Sequence, residues 1–201
     1  MASTTRDGDF EGLKLCEHRL AAQIALMYST FSRYEESAAL RVNQVSKAGK
    51  DLLVTFQKGK TYQHGEARRA VIVALPGILN PVNVILTYVH RLKLIQKEEN
   101  GLLFPSVTSL SKGDGVLESA ASYKAVLSQF KKAVIKAGVS VDALSYGLHS
   151  MRRGAVTSAA NNGASDHSIQ KQMRVASGET VRRYASLDTM SLRAACSVVF
   201  M

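Results

Sequence analysis

Two β-branched runs of strand length, Asp51–Phe56 (DLLVTF) and Ala70–Leu75 (AVIVAL), interrupt a chain whose other apolar residues recur at helical spacing. The polar segment Gln57–Arg69 joins them, so the pair predicts one small antiparallel hairpin ended by Pro76 and Gly77. Around it, Leu20, Ile24, Ala25 and Met27 predict a helix over Leu13–Tyr28, and a shorter one fits Glu35–Arg41. Ile78, Val82, Ile85, Val89 and Leu92 give Ile78–Lys97 a helical stripe. Asn100–Gly115 carries Gly, Pro and Ser and reads as a loop; Ala120–Ala137 reads as a helix closed by Gly138. Four short helices follow, at His149–Asn161, Ser165–Met173, Glu179–Tyr184 and Leu192–Val199, the first three separated by Gly163 and Gly178. The expected class is mainly α with a small antiparallel β-hairpin or sheet on its flank (α+β). Met1–Gly12 reads as a disordered lead-in to one domain over residues 13–201.

Charge narrows the partner. The chain has 26 Lys and Arg against 16 Asp and Glu, a formal +10. Such a surplus favours a polyanion, because basic groups that neutralise phosphates release condensed counterions. An acidic membrane is the rival, but the sequence has no long basic amphipathic helix, lipidation motif or apolar run near ~18 residues. Cys16 and Cys196 are too few for a disulfide scaffold, and no His or Cys cluster has metal-ligand spacing. Nucleic acid is therefore a candidate partner, alongside other polyanions, and the cysteine usage fits an intracellular setting.

Four short stretches hold residues that can do chemistry. Arg33 and Glu36 stand one turn apart at a helix start, which in isolation describes a surface ion pair. Lys58 and Lys60 lie in the hairpin loop, where most basic residues are simply solvated. His149 and Arg152 share a helix face, with Arg153 beside them. Tyr184 is flanked by Arg182 and Arg183 near a helix end, a position more often filled by a packing tyrosine.

Their order is more specific than any one of them. An Arg–x–x–Glu before a hairpin Lys, then HxxR, then Tyr about thirty residues on resembles the tyrosine recombinase (phage integrase) family. Ser29 to Val45 matches the family's first box without a gap; HSMRRGAVTSAANNGAS is similar to its HxLRHxxA…NG pattern, and IQKQMRVASGETVRRY continues to the Tyr. The resemblance runs from about Cys16 to Val199. It implies a metal-free catalytic domain in which Tyr184 attacks a phosphodiester. Arg33 and Arg152 would hold the nonbridging oxygens, as guanidinium forks do. His149 would serve as phosphate donor or general base, and Lys60, or Lys58 in another loop register, as general acid. Glu36 would order Arg33 and its neighbours, while Arg153, Arg182 and Arg183 would contact DNA. It further implies a 3′-phosphotyrosyl intermediate, double-stranded DNA as the partner, an intracellular, DNA-associated setting and no cofactor.

Two departures qualify that implication. The family has His or Trp nine residues before the nucleophile, where this chain has Val175, a residue unable to donate a hydrogen bond. Adjacent Arg174 stands where the family usually has Gly and is an alternative phosphate donor. An impaired, DNA-binding derivative and a type IB topoisomerase-like enzyme are therefore the alternatives. Few residues precede the first helix, so the helical core-binding domain of most relatives is expected to be absent and DNA binding to be weak and salt-sensitive. The apolar stretch Met190–Met201 is expected either to pack at home or to dock on a second protomer on DNA.

Overall fold

In the computed structural model of the chain, residues 13–57, 68–77, 80–96, 98, 100–110, 113–138, 146–175 and 177–185 are described. Helix α1 (Leu15–Thr30) buries residues on two faces, which puts it at the centre. Leu15, Ala22 and Leu26 enter one apolar cluster with α3 (Pro81–Ile95); Leu20 and Met27 enter a second with Val126 and Phe130 of α4 (Tyr123–Lys136). A third cluster joins Val156 of α5 (His149–Asn161), Ile169 and Met173 of α6 (Asp166–Met173) and Val181 of α7 (Gly178–Ala185). The short helix α2 (Tyr34–Ala38) follows α1. Ends are set by local chemistry. Asn80 Oδ1 accepts the Val82 N–H at 3.0 Å ahead of Pro81, which sets the start of α3. Ser122 and Ser165 cap α4 and α6 in the same way, at 3.2 Å each.

The expected hairpin exists and is larger than expected. β2 (Asp51–Phe56) pairs antiparallel with both β1 (Val45–Ala48) and β3 (Arg68–Ile72), with Val54 opposite Val45 and Ala70. Leu52, Val54 and Phe56 alternate into the core, each worth about 1.5–3 kcal/mol of burial. β1 (VSKA) is a mostly exposed edge strand without the apolar signature of its neighbours. β3 starts two residues before the expected run and ends at Ile72, because Asp51 Oδ1 takes the Ala74 N–H at 2.8 Å.

The stretch read as a loop over Asn100–Gly115 is a correction. β4 (Pro105–Leu110) and β5 (Gly113–Ala120) form a second antiparallel hairpin, with Val107 opposite Val116. Gly, Ser, Thr and Asp dominate both strands and hide them from any propensity argument; backbone pairing and the packing of Val107 and Val116 on the main core hold them. Ala120 belongs to this sheet, so the helix expected from Ala120 starts at Tyr123. Met1–Gly12, the helix expected at Leu192–Val199 and the stretch Met190–Met201 with its docking expectation lie outside the described residues. Among the described residues, no helix is long and apolar enough to cross a membrane.

Candidate active site

The site is organised by one carboxylate. Glu36 is the third residue of α2, and its Oε2 reaches back to accept the Arg33 backbone N–H at 2.8 Å, fixing the start of the helix. The same carboxylate faces three guanidinium groups. Arg174 Nη2 donates to Oε2 at 3.1 Å, Arg152 Nη1 lies 3.6 Å from Oε2, and Arg33 Nη1 lies 3.8 Å from Oε1. These residues come from α2, α5 and the end of α6, and they carry two positive charges in excess of the one negative.

Exposure separates their roles. The side chains of Arg152, Arg174 and Glu36 are 0%, 1% and 4% exposed, against 26% for Arg33. Arg33–Glu36 is therefore not the surface pair that its spacing alone suggests. Arg152 Nη2 also points at the Met173 carbonyl, at 3.5 Å.

Arg174 follows the end of the helix expected to Met173 and terminates α6 in the left-handed conformation, φ 58°. The side chain turns inward, where Nη1 donates to the Thr30 and Gln172 carbonyls at 2.8 and 2.7 Å and the guanidinium covers the Phe56 ring at 3.9 Å. Both terminal nitrogens are bonded to Glu36 and backbone carbonyls, so Arg174 braces the hub. Left-handed backbone at a non-glycine residue costs of order 1–3 kcal/mol, which these contacts offset. Phe31, φ 53°, closes α1 in the same conformation two residues before Arg33.

His149 occupies the first turn of α5, one turn before Arg152. Partial desolvation, then the nearby charges of Arg152 and Arg33, lower its pKa from the ordinary 6.5. The ring is thus kept neutral near pH 7, the form that can accept a proton. A histidine whose folded-state pKa is depressed has no effect on stability above pH 6.5 and destabilises the fold as acid protonates the unfolded chain first. His149→Asn is therefore expected to lose less stability than wild type between pH 6.5 and 5 in urea unfolding; equal losses overturn the assignment.

The remaining residues distribute as follows. Arg153 is exposed beside Arg152 on α5. Arg182, Arg183 and Tyr184 lie in α7, one turn around buried Val181, with side chains outside the described set. Lys58 and Lys60 also lie outside it, although both strands that lead to them end at the hub: Phe56 lies under Arg174, and Arg68 Nη1 donates to the Arg174 carbonyl at 2.9 Å. Val175 is half-buried against the third apolar cluster, between α6 and α7. Gln172 is a residue the sequence did not single out; its amide ties β3 at Val71 to the Ser29 carbonyl.

A profile of the phage integrase family matches residues 12–190. A search of curated proteins finds no match. Among solved structures, the fold is similar to the XerH site-specific recombinase bound to palindromic difH substrate in a post-cleavage complex, at 18% identity and TM-score 0.67, over 92% of this chain and 46% of that one. It is also similar to the XerA recombinase (21%, TM-score 0.66, 91% and 59%). The Tn1549 transposon integrase in complex with transposon right end DNA is a third such fold (16%, TM-score 0.58, 90% and 58%). The chain spans about half the length of these solved relatives.

Proposed function

The chain belongs to the phage integrase family and has the mainly helical tyrosine recombinase catalytic fold, and from that premise we propose that it cleaves and rejoins double-stranded DNA through Tyr184. The observation that carries this reading is the hub of Arg33, Arg152 and Arg174 around Glu36, an excess of buried positive charge at one end of the α5–α7 cluster. Preorganised charge of this kind stabilises the crowded negative oxygens of a phosphoryl-transfer transition state.

In the proposed step, the Tyr184 phenolic oxygen forms a bond to the scissile phosphorus as the bond to the 5′ oxygen breaks. Neutral His149 accepts the phenolic proton, and Lys60 or Lys58 gives a proton to the departing 5′ oxygen. Arg33 and Arg152 hold the nonbridging oxygens throughout. The phosphotyrosyl bond keeps the ester's energy, so a 5′ hydroxyl can reverse the step without a nucleotide cofactor.

A nicked duplex that loses its 5′ fragment after cleavage tests the reading, because the covalent species then accumulates. Wild-type protein is expected to retain DNA through denaturation; a duplex bound but never attached overturns catalysis. Val175 favours a second reading, a DNA-binding domain that does not cut, since its side chain packs on apolar residues and has no donor. Adduct formed by Val175→Trp or Val175→His and not by wild type would select that second reading.

A further inference from the structure

Beside the hub, β3 and α6 enclose an open cleft of about 380 Å³ lined by Arg68, Arg69, His167, Lys171 and the Arg174–Val175 turn. Among the described residues, no carboxylate lines it. Arg69, His167 and Lys171 are exposed, whereas Arg68 is tied by its Nη1 to the Arg174 carbonyl. The walls are fixed relative to each other, since Gln172 accepts the Val71 N–H and donates to the Val71 carbonyl. Like formal charges at Arg69 and Lys171 in a braced cleft repel one another, and among the described residues no cleft-lining acid relieves that repulsion. An anion would.

We propose that this cleft seats a phosphate of the DNA backbone next to the one held at the hub, through Arg69 and Lys171 with His167 as a further donor. The inference rests on the recombinase reading and adds to it. Arg174 connects the two places, its backbone and Val175 forming the cleft wall while its guanidinium reaches Glu36. The wall where the resemblance expects a phosphate donor and finds Val175 is thus the wall that Arg69 and Lys171 face. A continuous backbone, unlike a free anion, can occupy hub and cleft together.

Duplex affinity against salt, read by fluorescence anisotropy, tests the seat. One phosphate contact contributes about 0.9 to the slope of log K against log salt, or about eightfold in affinity at 0.1 M. Arg69→Gln with Lys171→Gln is expected to show that loss for a random-sequence duplex and to keep the wild-type melting temperature. Lys93→Gln with Lys50→Gln removes equal charge from outside the cleft and is expected to stay within twofold of wild type. If the two double variants weaken equally, the cleft holds no phosphate and the recombinase reading stands. Absence of duplex binding by wild type overturns both together.

Discussion

Tyr184→Phe is expected to abolish the covalent DNA adduct while leaving duplex affinity within about twofold of wild type. The change removes one oxygen and nothing else: helix α7 keeps its length, and Val181, the residue that anchors it in the third cluster, is untouched. Without the phenolic oxygen there is no nucleophile to form the ester, so the loss is complete and not graded. A weakened phosphate clamp behaves differently. Arg152→Lys keeps the charge but loses the planar fork, and should slow adduct formation by about 10²–10³-fold, the usual effect of deleting one preorganised donor. The pair of measurements matters because misfolding would lower affinity and adduct together. Adduct surviving in Tyr184→Phe moves the nucleophile to another tyrosine. Tyr28 would be first to test, being 43% exposed and placed with its ring 4.0 Å from where a side chain at Gly154 of α5 would begin.

What could be read from the sequence divides along physical lines. α5 matches its expected bounds because Gly163, at a positive φ that favours glycine, lies just past its end. The β2–β3 pair was legible because Leu52, Val54 and Phe56 alternate into a core. β4 and β5 were not, because Gly, Ser and Asp interrupt the few strand formers, Val107 and Val116 among them, that pack on the core. Arg33, Glu36, His149 and Arg152 could be named from their resemblance to the family's two boxes, yet their mutual geometry could not. Arg174 shows why: it meets Glu36 across 138 residues of sequence, through a left-handed turn that helical periodicity cannot foresee. Its only sequence signal was a family pattern with Gly at that place, which marks a positive φ and says nothing of where an arginine would point.

Glu36→Gln should be the most destabilising single change at the hub, by about 3–5 kcal/mol, the cost of breaking a buried ion pair from one side. Arg33 contributes little to that figure, since a pair 3.8 Å apart and a quarter exposed on one side is worth at most about 1 kcal/mol. The weight falls on Arg152 and Arg174, both fully enclosed, which would lose the carboxylate they share. In a chain this size the loss corresponds to roughly 6–20 °C in melting temperature. A cavity effect would be indifferent to charge, but this one is not. Adding Arg174→Gln to Glu36→Gln removes one buried cation, so the double variant should recover part of the loss, a coupling of about 0.5–3 kcal/mol. DNA should act in the same direction, because a phosphate brought to the hub supplies the charge that Glu36 no longer does. The melting temperature of Glu36→Gln is therefore expected to rise more on adding duplex than that of wild type. An equal rise in both would mean that the buried arginines do not face the bound phosphate, and the hub would then be a brace for the fold and no part of the chemistry.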